Sequence, residues 1–259
     1  MALVELGFTG AVATMQLNRP EARNALSVEL CDAIVSLLAR VEGATDARVL
    51  LVTGAGPAFC SGADFASVGG PGGVEFLPAF ERMLEALGRH RLPTVAVIQG
   101  AALGGGLQLA VACDFRIAAE DARLGIPSSR LGVVVNLENV ERLVNLVGAA
   151  RAKDVLMAGR VFTGIEAVGA GLANDVATAE GLTGAADAYA AEIALLAPLS
   201  VQGAKRAIHA VLDRRAVRAH DPQAALEIDA LVAEAYSSRD LEEGIRAQRE
   251  KRAPDFEGE

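Results

Sequence analysis

Val95-Ala96-Val97-Ile98, followed by Gln99 and then Gly100-Ala101-Ala102-Leu103-Gly104-Gly105-Gly106-Leu107-Gln108, is the stretch that decides how this chain is read. The first four residues are apolar and rich in β-branching, and the apolar run Leu107-Gln108-Leu109-Ala110-Val111-Ala112 closes the segment. That pattern predicts a strand, a glycine turn and the start of a buried helix. Glycines in such a turn let the backbone approach a ligand, and the unpaired N–H groups of a helix N-terminus favour negative charge. The first helical turn then carries Gln108, whose amide cannot exchange a catalytic proton at neutral pH.

Working outward, the strand–helix alternation continues. Val4–Phe8 and Val12–Leu17 flank Thr9-Gly10 and predict a β-hairpin. Asn18-Arg19-Pro20-Glu21 interrupts the pattern. Ser27 then caps a helix with Leu30, Ile34, Leu37, Leu38 and Val41 on one face. Arg48–Thr53 predicts a buried strand ending in Gly54-Ala55-Gly56-Pro57. Residues 66–74 are glycine-rich and read as a mobile loop before a helix over 75–89. A further strand is expected at Asp114–Ala118. Strands alternating with helices imply a parallel sheet with helical crossovers. Beyond about residue 136 a short strand is expected near Leu172–Val176, and helices over 138–157, 164–170, 180–195, 198–217, 221–236 and 239–251. The reading is an α/β core over residues 1–195 and a helical region over 196–259.

The chain has 259 residues, enough for a sizeable core, and a net charge of −9, which argues against a nucleic-acid surface. Met1–Gly10 has no basic start, and no apolar run reaches membrane-spanning length, so the expected setting is the cytoplasm. The three cysteines, Cys31, Cys60 and Cys113, have no metal-like spacing. They read as reduced thiols, with Cys31 and Cys113 in the core. No metal site is expected.

Two backbone segments carry chemistry. Phe59-Cys60-Ser61-Gly62-Ala63-Asp64 follows a strand and a Gly-Pro turn, and Gly104-Gly105-Gly106 opens a helix. Each offers main-chain N–H groups without a bulky side chain in the way. Two such donors aimed at one oxygen stabilise an oxyanion, and losing one typically raises a barrier by about 3–4 kcal/mol. Taken singly, either segment is weak evidence, because a glycine-rich strand–helix turn more often serves tight packing than catalysis.

Together with Leu17-Asn18-Arg19-Pro20-Glu21-Ala22-Arg23-Asn24-Ala25-Leu26, Cys113-Asp114-Phe115-Arg116, Gly125-Ile126-Pro127 and the tail Glu250-Lys251-Arg252-Ala253-Pro254-Asp255-Phe256, these segments resemble the crotonase, or enoyl-CoA hydratase/isomerase, superfamily from end to end. The resemblance implies a spiral of ββα turns with a C-terminal helical trimerisation region, assembled as a homotrimer or hexamer. It implies an acyl-CoA thioester ligand whose carbonyl oxygen sits between the N–H groups of Ala63 and Gly105. Coenzyme A belongs to that ligand, and no separate cofactor is implied. Arg23, Ala25 and Leu26 match the loop along the adenine and pantetheine path. Ser61 and Asp64 belong to the donor segment, where Asp64 anchors its own loop. Lys251 matches a tail lysine that reaches the nucleotide phosphates, often of a neighbouring subunit. Arg23 and Lys251 are otherwise solvated surface cations.

The chain departs from the family pattern where hydratases carry two glutamates. Those positions are Gln108 and Ser128, and a third acid position used by some relatives is Asn136. General acid or base assistance is worth roughly 10²–10⁴-fold for each group. Of the remaining acids, Glu138 and Glu141 open a helix, where negative charge suits the dipole. Glu75 and Glu81 lie on the helix that borders the acyl pocket in relatives. Arg130 reads as a surface cation or as a partner for an anionic acyl substituent. His90, His209 and His220 fall outside every motif. Two readings follow: an acyl-CoA-binding protein that has lost hydratase chemistry, serving as a carrier or sensor in lipid metabolism, or an active lyase or isomerase working through enolate stabilisation with other acid–base groups.

Overall fold

The computed structural model describes residues 2–44, 46–64, 73–213, 220 and 222–255. The expected loop residues 66–72, the last turn of the 198–217 helix and Phe256 lie outside them. The chain divides into two compact units, Met1–Leu124 with Phe162–His209 and Gly125–Val161 with Ala210–Glu259.

The first unit is built on a six-stranded sheet. Strands β1 (Val4–Thr9) and β2 (Val12–Leu17) form the expected antiparallel hairpin, with Val4 opposite Leu17. From β2 onward the sheet is parallel, through β3 (Val49–Gly54), β4 (Thr94–Ile98), β6 (Phe115–Ala119) and β9 (Asp175–Ala177), in the order β1-β2-β3-β4-β6-β9. All of β4 is buried, as a parallel strand covered on both faces must be. A smaller sheet has the order β5 (Ala101–Leu103), β7 (Arg123–Gly125), β8 (Val161–Thr163). Its strands are three residues long, too short to carry a readable period, and none of them was expected from the sequence.

Helix α1 (Val28–Glu42) starts where the sequence places it: the Ser27 side chain accepts from the Leu30 N–H, and Leu30, Ile34, Leu37, Leu38 and Val41 are buried. It packs against α2 (Gly73–Gly88), which packs in turn on α3 (Gly105–Ala112). Short α5 (Gly164–Gly169) opens with a capping box between Thr163 and Glu166. Helix α6 (Leu182–Leu195) lies on β3, β4 and β6. On α7 (Pro198–Asp213), buried Lys205 donates to the Asp114 carboxylate (2.7 Å) and to the Leu92 carbonyl (3.0 Å), which pins that helix to strand ends. Among the described residues no single helix is long and apolar enough to cross a membrane.

The second unit contains the 3₁₀ turn Ser128–Arg130, α4 (Leu137–Leu156), α8 (Pro222–Tyr236) and α9 (Arg239–Glu250). Helix α8 packs on α4 and on α9. Helix α4 is broken at Gly148, whose φ of 75° and ψ of 163° interrupt the helical path read as continuous from the sequence. Helix α9 sits directly on the Leu131–Gly132 turn. A Cβ on Gly244 would fall 2.7 Å from Leu131 backbone atoms.

Candidate active site

The first unit brings Arg23, Ala25, Leu26, Ser61, Ala63, Asp64, Gly105 and Gln108 onto three backbone segments that are laced together. Cys60 pairs with Ala102 in a parallel bridge, its N–H donating to Ala101 (2.9 Å) and its carbonyl accepting from Leu103 (3.1 Å). Leu26 pairs with Ala63 in the same manner, through Leu26 N–H to Gly62 (2.8 Å) and Asp64 N–H to Leu26 (2.8 Å). The Ser61 N–H closes the set by donating to the Arg23 carbonyl (3.0 Å).

Bridge geometry sets the direction of the Ala63 N–H. In a parallel bridge the residues flanking one partner make the hydrogen bonds, so the N–H of that partner points away. The Ala63 N–H therefore faces away from Leu26. Gly105 begins α3, where the first N–H groups have no intrahelical acceptor. Among the described residues neither N–H donates a hydrogen bond.

Glycine is required where the two segments meet. Gly62 has a φ of 107°, and a Cβ there would lie 2.8 Å from the Leu103 carbonyl oxygen and 3.5 Å from the Gly105 nitrogen. At Gly106 the constraint is contact: a Cβ would fall 2.1 Å from the Cys60 carbonyl oxygen. Gly105 differs. A Cβ there would meet Leu26 Cδ1 at 3.3 Å and Phe80 Cζ at 3.4 Å, both of them side-chain ends. The donor at 105 therefore lies against an apolar wall, extended by the stack of Phe80 on Phe76 (centroids 5.5 Å apart). Glu81 is half-buried beside Phe80 on α2, and Glu75 is exposed on the same helix. Half-buried Gln108 stands three residues beyond Gly105 in the first turn of α3, its N–H donating to Gly104 (3.1 Å).

The donor segment carries no reactive thiol. Cys31, Cys60 and Cys113 are all buried, and burial pushes each thiol up to about 12. Among the described residues no group of three or more His, Cys, Asp or Glu side chains could hold a metal ion.

Sequence reading missed the residues that fasten this region. Arg19 donates through Nη1 to the Ala25 carbonyl (2.7 Å) and through Nη2 to the Asp64 carboxylate (3.1 Å). Asn24, fully buried, donates to the carbonyls of Ala55 (2.9 Å) and Ala58 (2.8 Å) while its Oδ1 accepts from the Arg19 N–H (2.9 Å). Arg23 and Asn24 both adopt positive φ, 52° and 56°. Asparagine tolerates that region better than most residues, and this was the available signal.

The remaining candidates belong to the second unit. Ser128 opens the 3₁₀ turn and is half-buried, and the Arg130 guanidinium donates to the Gly159 carbonyl (2.9 Å). Asn136 is the N-cap of α4 and accepts from the Asn139 side chain (2.6 Å). Glu138 and Glu141 lie in the first turns of that helix. Lys251 ends α9 with a φ of 55° and is exposed. On the same helix Glu243 accepts from Arg246 (2.9 Å), from Arg252 (3.0 Å) and from the Asp255 N–H (3.0 Å). Those donors hold its carboxyl well below the usual carboxylate range.

Comparison with known proteins shows the class first. A methylmalonyl-CoA decarboxylase structure superposes with a TM-score of 0.89 at 22% identity, covering 99% of each chain, a likeness of fold. An enoyl-CoA hydratase/isomerase structure from Pseudoalteromonas atlantica superposes with a TM-score of 0.84 at 31% identity, over 98% of this chain and 100% of that one. The fold is thus the crotonase-like α/β spiral with a helical C-terminal region. A "probable enoyl-CoA hydratase" of Mycobacterium bovis is 37% identical over 248 residues, 96% of each chain. Residues 7–259 match the family described as enoyl-CoA hydratase/isomerase, and this chain belongs to it.

Proposed function

We propose that this protein binds acyl-CoA thioesters, with the carbonyl oxygen accepting from the Ala63 and Gly105 N–H groups, and that it does not hydrate enoyl-CoA efficiently. The observation that carries this reading is the pair of undirected N–H groups on abutting backbone, followed by an amide at Gln108. Two fixed dipoles of this kind favour the negative charge that builds on a thioester oxygen. Gln108 and Ser128 can orient a ligand or a water by hydrogen bonding, but neither takes a proton from water at neutral pH. In this reading Arg23, Ala25, Leu26, Ser61 and Asp64 lie along the coenzyme A path, and Lys251 meets a phosphate of the nucleotide. Coenzyme A enters as part of the ligand, and no other cofactor is called for. Residues 1–195 form the thioester-binding core. Residues 196–259 assemble a homotrimer or a pair of trimers in the cytoplasm, and the protein acts as a carrier or sensor in lipid metabolism.

Calorimetric titration with a medium-chain acyl-CoA tests the binding half. The expected result is saturable binding that Gly105→Val weakens at least tenfold, because the added branches fill the space before Leu26 and Phe80. Unchanged affinity in that variant would remove Gly105 from the site. The intact donor pair also favours a second reading, an active lyase or isomerase that stabilises a thioester enolate. Exchange of the acyl α-protons into deuterated water, followed by NMR, separates the two: a carrier leaves the α-protons in place.

A further inference from the structure

We infer that Arg19 is the positioning residue for the Ala63 donor, so that selection of a thioester carbonyl depends on a side chain behind the donor segment. The inference rests on the carbonyl-binding reading above. Ala63 belongs to a one-residue bridge held by two backbone hydrogen bonds, Leu26 N–H to Gly62 and Asp64 N–H to Leu26. Those two bonds set which way the Ala63 N–H faces, but a one-residue bridge has no ladder of further pairs to hold that direction still. The Arg19 guanidinium supplies what the ladder lacks. One arm holds the carbonyl of Ala25, the residue before Leu26, and the other holds the carboxylate of Asp64, the residue after Ala63. Both partners of the bridge are thus gripped from one rigid plane.

Arg19 is itself fixed from its backbone. Its N–H donates to Asn24 Oδ1, and its carbonyl accepts from the N–H groups of Asn24 (2.9 Å) and Ala22 (3.0 Å). Asn24 anchors that turn to the Ala55–Ala58 loop. The guanidinium therefore reaches the bridge from a point tied to the sheet end. Magnitude decides what its loss does. The Arg19 and Asp64 side chains remain 19% and 22% exposed, and partly solvated ion pairs add little to global stability. Losing the clamp should leave the fold intact and release the direction of one N–H. Lysine cannot substitute, since a single ammonium does not present the planar fork that spans two acceptors.

The test compares an acyl-CoA thioester with the S-alkyl-CoA thioether of equal chain length, which keeps the nucleotide and chain but lacks the carbonyl oxygen. Calorimetry gives both affinities for the wild type, Arg19→Met and Arg19→Lys. The wild type should prefer the thioester by roughly tenfold, the worth of about one directed hydrogen bond. In both variants the ratio should fall at least about threefold, with the Gly105 N–H left as the second donor, while thioether affinity stays within about twofold of wild type. If Arg19→Met does not fold, Arg19→Lys carries the same expectation. A wild-type ratio retained in the variants overturns the inference, and so does an equal loss of both ligands, the mark of a merely structural residue. A wild-type ratio of one instead overturns the carbonyl-binding reading, and this inference with it.

Discussion

The donor segments of the first unit and the tail of the second unit hold their residues by different physics. Around Ala63 and Gly105, the backbone of one segment lies against the backbone of the next, and Gly106 has no room for a methyl group beside Cys60. Around Lys251, the fastening is one carboxylate, Glu243, accepting from Arg246, Arg252 and the Asp255 N–H. Backbone-on-backbone packing of this kind tolerates almost no added atom. A clamp of one buried carboxylate on exposed arginines is adjustable on its arginine side, where salt screens it. The donor segments are thus the rigid part of the proposed thioester site, and the tail is the tunable part.

The largest effect should follow from breaking the rigid side. Gly106→Ala places a methyl carbon on the Cys60 carbonyl and should destabilise the protein by about 3 kcal/mol or more, read as a large drop in thermal midpoint. Gly105→Ala, whose methyl meets only side-chain ends, should cost far less stability than Gly106→Ala. Equal losses at the two positions would show that the segments do not abut as described. Introducing acids tests what rigid donors can do when proton transfer is supplied. Gln108→Glu combined with Ser128→Glu should raise crotonyl-CoA hydration by roughly 10²-fold or more. No gain would count against the proposal that hydration is limited by the amide and hydroxyl at these two positions.

Asn24→Ala should cost about 2–4 kcal/mol, because it leaves the Ala55 and Ala58 carbonyls and the Arg19 N–H without their partner. Denaturant titration reads that loss directly. A smaller effect belongs to His90, a buried imidazole whose Nε2 lies 3.1 Å from the Glu42 carboxylate. Burial lowers its pKa against the opposing pull of Glu42, with Lys205 and Arg91 adding to the lowering. The unfolded chain therefore takes up this proton first as pH falls. The stability due to neutral His90 is complete above the ordinary histidine range near 6.5 and declines below it. His90→Gln should flatten the fall in thermal midpoint between pH 7 and pH 5. Smallest in stability is Glu243→Gln, which should leave the midpoint nearly unchanged while speeding amide exchange at Asp255. An unaltered exchange rate would show that the tail is held by something other than this carboxylate.

Periodicity carried the parts of the fold that bury whole faces. The hairpin, the Ser27 cap, the apolar stripe of α1 and the parallel order of the sheet all rest on repeated apolar spacing, and all stand where the sequence puts them. Strands β5, β7 and β8 are too short for any period, and the break at Gly148 depends on backbone angles that composition does not record. The candidate site divides similarly. Gly62, Gly105 and Gly106 announce themselves as glycines, and Gln108 as an amide where the family resemblance implies a glutamate. The clamp of Arg19 and Asn24 was hidden because its partners are backbone carbonyls as far as residue 58 and a carboxylate at residue 64, pairings that no local spacing encodes.

Following crotonyl-CoA hydration by the loss of thioester-conjugated absorbance, at a protein concentration that saturates the ligand by calorimetry, tests the central claim most directly. A bound substrate that disappears no faster than in buffer is the expected result. Turnover approaching that of ordinary hydratases, with Gln108 and Ser128 in place, would contradict it.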